Sequence, residues 1–123
     1  MRLATYIIPD PDGDLELAVT RFPGRVGGDL ANMNRWRGQM GLGPVSESVL
    51  EELVSRFEVE GGEGYVARVE SDSGVMLACG IYEIEFDRTW FIRVTTTTEP
   101  ADRVQDSIFE FAHAILHSPH GDG

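Results

Sequence analysis

Three small constellations in this sequence have residue types and spacings that chemistry uses. Asp10, Asp12 and Asp14 alternate in "DPDGD", as calcium-binding carboxylates do. A calcium loop of the EF-hand type needs glycine at its sixth position and glutamate at its twelfth. Counted from Asp10 those positions hold Leu15 and Arg21, so the segment reads as a turn. His113 and His117 stand four apart, a metal-ligand spacing on a helix. They fall opposite the apolar stripe of the last predicted helix, and His120 lies in the tail beyond it; no metal or cofactor is expected. Glu83, Glu85 and Asp87 alternate along a strand, where paired carboxylates can do acid–base work, but they read more simply as its solvated face. Cys79, the single cysteine, sits mid-strand between Ala78 and Gly80 and reads as a buried, inert thiol. No nucleophile elbow, P-loop or dinucleotide fingerprint is present.

The segment most unlike its surroundings is "ANMNRWRGQMG", residues 31–41. The chain carries a formal net charge of -11, yet the ionised residues between Leu17 and Ser46 are Arg21, Arg25, Asp29, Arg35 and Arg37. All ten basic residues are arginine. A strongly acidic chain repels nucleic acid and anionic membranes, so neither is an expected partner. A local basic segment points instead to an anionic small ligand, a protein partner, or the molecule's own carboxylates.

Placed on a helix, this segment divides into faces. Met33 and Met40 share a side with Leu30, with Arg37 at its edge and Trp36 flanking. Asn32, Arg35 and Gln39 fall on the opposite, solvent-facing side. Arg35 and Arg37 diverge too far to clamp one anion together. Arg37, beside apolar residues, needs a partner, either an internal acid or a ligand carboxylate or phosphate. The candidate binding surface is therefore Asn32, Asn34, Arg35, Trp36, Arg37 and Gln39, with Trp90 as an aromatic candidate on a strand.

The surrounding pattern predicts one α+β domain over residues 1–117 and a flexible tail over 118–123. Strands are predicted over 3–9, 15–22, 64–70, 75–86 and 89–98, from β-branched and aromatic residues bounded by turn formers. Within 75–86, Met76, Ala78, Tyr82, Ile84 and Phe86 are expected on one face. Helices are predicted over 29–40, 46–57 and 100–116. The second carries a stripe of Val49, Leu50, Leu53, Val54 and Phe57, with Ser48 and Glu51 as a capping box. The order β-β-α-α-β-β-β-α with short connections predicts a mostly antiparallel sheet under helices. No apolar run approaches the length of a membrane span, and the N-terminus does not read as an export signal.

The run "LAVTRFPGRVGGDLANMNRWRGQMGLGPVSE", with "TWFIRV" downstream and a closing helix, resembles a family of small, mostly uncharacterised bacterial domains marked by PGxxGG…NxNRWRxQxGL. That family is similar in turn to the PsbP-like α/β/α sandwich. The resemblance implies an accessory or binding domain and assigns no catalytic residue. It also implies exported or lipid-anchored relatives, whereas this chain, read alone, suggests the cytoplasm. Two other readings stand beside it. One is a small-cleft enzyme in which Arg37 orients an anionic substrate and Glu83 or Glu85 is the base. The other is a homo-oligomer with the first helix as its interface.

Overall fold

The computed structural model describes residues 2–25 and 28–117. The tail predicted over 118–123, with His120, lies outside the described residues. The chain is α+β, with three helices and one open six-stranded sheet in the order β1-β2-β6-β5-β4-β3. Every strand pairing is antiparallel.

β1 (Arg2–Ile8) and β2 (Leu15–Pro23) form a hairpin across the Asp-rich turn. Gly13 there takes a positive φ of 118°, a conformation that favours glycine. Two helices, α1 (Asp29–Gln39) and α2 (Glu47–Leu53), then lead from β2 to the far edge of the sheet. From that edge β3 (Val54–Val59), β4 (Gly62–Ser71), β5 (Gly74–Glu83) and β6 (Arg88–Thr96) return as a meander until β6 pairs with β2. The closing helix α3 (Thr98–Ala114) continues into a 3-10 turn, Ile115–His117.

Helices cover both faces of the sheet. On one, Val104, Ile108, Ala112 and Ile115 pack against Leu17, Val19, Leu77, Cys79, Trp90 and Ile92. On the other, Met33 and Trp36 of α1, its C-cap Met40 and Leu50 of α2 pack against Tyr65, Ala67, Val69, Met76, Ala78 and Phe91. This explains why "VMLAC" has no polar alternation: β5 is central and buried on both sides. Cys79 is enclosed, and desolvation pushes its thiol up to about 12.

Three sequence expectations need correction. The second helix was expected to reach Phe57, but it ends at Leu53, and residues 54–59 are a strand that adds a sixth member to the sheet. The Val54 and Phe57 side chains are shared between helical and alternating patterns, and pairing with β4 supplies the backbone partners that an exposed helical turn would not. The N-cap of α2 is Ser46, whose hydroxyl accepts from the Val49 N–H, rather than Ser48. The strand expected to run to residue 86 stops at Glu83, so Ile84 (61% exposed) and Phe86 (57% exposed) stand on a turn and not in the core. Asp87 closes that turn with a φ of 48°.

Candidate functional site

The residues of the 31–41 segment are divided among structural tasks. Trp36 is 1% exposed and meets Phe91 edge-on, with ring centroids 5.8 Å apart. Asn34 points its carboxamide at the loop after α1. Its Oδ1 accepts from the Val45 N–H at 2.8 Å, and its Nδ2 donates to the Val45 carbonyl at 3.2 Å. Arg37 Nε donates to the Gly43 carbonyl of the same loop at 2.8 Å. The loop leaves the helix by a Schellman turn. Gly41, φ 77°, donates to Gly38 O, and Leu42 N donates to Arg37 O at 2.8 Å. Gln39 accepts from Arg93 Nη1 at 2.9 Å, tying α1 to β6. Arg35 is exposed.

Asn32 was expected in solvent and is instead buried. Asn32 is adjacent to Met33 on the side of α1 that faces the sheet, so it meets Tyr65 and not water. Trp90, the other aromatic candidate, is fully buried on the opposite face of the sheet. Its Nε1 donates to Glu83 Oε1 at 3.1 Å, and Arg88 bonds the same oxygen. Glu83 is thus a buried member of an ion pair rather than part of a solvated carboxylate row. The residues of the expected enzyme site do not converge: Glu83 faces α3, Glu85 is exposed after β5, and Arg37 is bound to a loop on the α1 side. In the Asp-rich turn, Asp10 and Asp12 bind the Arg103 guanidinium at 2.7–3.0 Å. His113 stacks on Phe57 at 3.9 Å, and the side chain of His117 is outside the described residues. Among the described residues no group of His, Cys, Asp and Glu is arranged to hold a metal, and no helix is long and apolar enough to cross a membrane.

What the fold does assemble is a cleft of about 390 Å³ under the N-terminus of α1, opening across β3 to β6. That volume is within the range of small-molecule sites. Its floor depends on a cross-strand pair, Tyr65 on β4 opposite Gly80 on β5. A β-carbon at Gly80 would stand 2.7 Å from both the Cζ and the hydroxyl oxygen of Tyr65, so the missing side chain is the space the phenol occupies. Tyr65 is 4% exposed, and its hydroxyl oxygen is closed to solvent. Asn32 and Asp29 lie near it. Desolvation raises its pKa and the Asp29 charge raises it further, against a smaller lowering by the Asn32 carboxamide and the Arg56 charge, so at neutral pH it stays protonated.

Charged pairs frame the mouth. Arg56 donates to Asp29 at 2.8 Å and to both carboxylate oxygens of Glu51, which hold its pKa above the ordinary arginine value. On another side, Arg25 donates to Glu63 at 2.9 Å and lies 3.9 Å over the Tyr82 ring. The Tyr82 hydroxyl donates to Asp87, the main reason its pKa is raised. Glu58 also lines the cleft, directly across the β3–β4 ladder from Glu63. The α1 N-cap is Gly28, φ 74°, at the cleft edge, and it has no side chain of its own to cap the first turn.

Of the candidate binding residues named from sequence, only Asn32 lines this cleft. Arg25 and Asp29 enter the sequence reading only through the charge of their segment, and Tyr65, Gly80, Arg56 and Tyr82 are not site candidates in it. The available signal was a mid-strand glycine, "ACGIY", and a tyrosine after glycines, "GEGYV", but their juxtaposition depends on hairpin register. Compared with protein-family models and with curated proteins, the sequence matches none.

Proposed function

We propose that this protein is a non-catalytic binding module that takes a small molecule into the cleft under the N-terminus of α1. The observation that carries this reading is the cleft itself, about 390 Å³ under the N-terminus of α1, with the Arg56–Asp29 and Arg25–Glu63 pairs at its mouth. That volume is within the range of small-molecule sites. The side chains around it favour holding over transforming. Both tyrosines have pKa values raised away from neutrality, and Asp29 and Glu63 are engaged by arginines.

The reading keeps the accessory-module role that the sequence resemblance implies. It moves the contact surface from the outward side of α1 to the helix N-terminus. Helices on both faces of an antiparallel sheet support the PsbP-like resemblance, and that assignment is part of the same proposal.

The test is an amide chemical-shift titration of the intact protein with a panel of small neutral, anionic, cationic and zwitterionic fragments. Shifts confined to the amides around residues 28–32, 56–65, 80–82 and 89–91 are expected. A panel that moves none of them overturns the reading.

A further inference from the structure

We infer that the outer edge of β1 is an interface between two copies of this chain, which pair antiparallel about Tyr6 and join their sheets. The inference stands apart from the cleft and does not rest on it.

An open sheet has two edges, and each leaves a row of backbone N–H and C=O groups for another strand to pair with. Here the edges are β1 and β3. β3 is guarded. Arg56 and Glu58 are exposed along it, and Arg56 is tied to Glu51 and Asp29. Charged side chains of this kind discourage pairing with another chain. β1 is guarded only at Arg2, its first residue. Residues 3–8, "LATYII", carry no charge in a chain of which 25% is charged. Tyr6 is 41% exposed and Ile7 56% exposed. Neighbouring side chains point to opposite faces of a strand, so a helix laid on one face covers only one of these two. A strand added at the edge flanks both.

Charge selects a second copy as that strand. At a formal net charge of -11, two copies repel over most of their surface. The β1 edge is an uncharged run where they meet without setting like charges face to face. It offers no charge to a basic or an acidic partner.

The run is also self-complementary. Its register with β2 slips between Arg2 and Ala4 and is regular from Ala4 to Ile8, with Tyr6 at the middle. Antiparallel pairing about Tyr6 sets Tyr6 against Tyr6, Thr5 against Ile7 and Ala4 against Ile8 of the second copy. Cross-strand aromatic pairs are among the favourable ones. Each Tyr6 already meets Phe111 of α3 edge-on, with ring centroids 6.1 Å apart. The two-fold axis therefore gathers two Tyr6–Phe111 pairs on the α3 side of the joined sheet. The contact between copies thus falls on β1 and not on α1, whose Met33 and Trp36 are spent on the core. A short strand from each copy makes a small interface, so the dimer is reversible.

The experiment is sedimentation velocity of the intact protein over a concentration series, at low and at high salt. A monomer–dimer equilibrium is expected. Added salt should tighten it, because the contact holds no ion pair and the net charges repel. Ile7→Lys puts a charge on the edge and is expected to weaken the dimer at least tenfold. Its melting temperature, read in dilute solution, should stay within a few degrees of wild type, because the position is exposed. Tyr6→Cys reads the register. Under mild oxidation it should form a disulfide-linked dimer, while the native Cys79 is buried and out of reach. Thr5→Cys should not, because in this register its two copies stand more than about 7 Å apart. A protein that stays monomeric throughout the series overturns the inference, as does a dimer that Ile7→Lys leaves intact. Linkage through Thr5→Cys and not through Tyr6→Cys overturns the pairing about Tyr6.

Discussion

The Tyr65 phenol occupies the space that a side chain on Gly80 would fill, with its hydroxyl oxygen 2.7 Å from the absent β-carbon position. The two residues face each other across the β4–β5 ladder, so a side chain added at Gly80 must displace the phenol. Gly80→Ala is expected to destabilise the protein by about 1–3 kcal/mol, the usual cost of forcing an extra methyl into a packed site. In urea unfolding, adding Tyr65→Leu to Gly80→Ala should cost less than the two single changes together, because the residues are in contact. Additive losses would mean that they do not share the space.

Asn34 holds Val45 at both its N–H and its carbonyl. Asn34→Ala leaves both backbone groups of a half-buried loop residue without that partner. A loss of about 1–3 kcal/mol is expected. Asn34→Asp, which keeps the acceptor and loses the donor, should fall between wild type and alanine. The check is the urea midpoint at constant m-value.

Acid should act through Asp10 and Glu51. Hydrogen bonds from Arg103 hold the Asp10 carboxyl below its ordinary value of 3.8, and Arg56 holds Glu51 below 4.5. The unfolded chain therefore takes up these protons first as pH falls. The contribution of both groups is complete above the ordinary carboxylate range and is lost as pH drops through their lowered values. Melting temperatures should hold between pH 7 and pH 5 and fall below about pH 4, less steeply for Asp10→Asn than for wild type. The Arg56–Glu51 pair is open to solvent, so added salt should weaken the Glu51 part of the loss.

Cys79 should be silent toward thiol reagents. Its side chain is buried, and its pKa of about 12 leaves almost no thiolate at pH 8. An aromatic disulfide reagent should react within minutes in denaturant and at the rate of global unfolding without it. Fast labelling of the native protein would show the β5 core open to solvent.

Much of the architecture was legible because its signals are local. The Asp-rich hairpin, the Gly41 cap, the β5–β6 hairpin and the α3 stripe all follow from short patterns of turn formers and apolar period. β3 was not legible, since Val49, Leu50, Leu53, Val54 and Phe57 fit one helical stripe and only the presence of β4 makes the last two strand residues. Ile84 and Phe86 misled for a related reason: alternation continues past the point where pairing ends. The cleft was nearly invisible because Tyr65, Gly80, Glu58 and Glu63 acquire meaning only through register. The 31–41 segment drew attention by its composition, yet Trp36, Asn34, Arg37 and Gln39 spend that composition on packing and on holding a loop and a strand.

The most direct measurement of the central claim is the fragment titration repeated on Glu58→Trp, which places a large ring at an exposed position of the cleft lining. Its melting temperature should stay within a few degrees of wild type, because the position is exposed. Fragment binding, read from the cleft amides, should weaken at least tenfold. A variant that folds and binds the fragments as tightly as wild type would contradict the account.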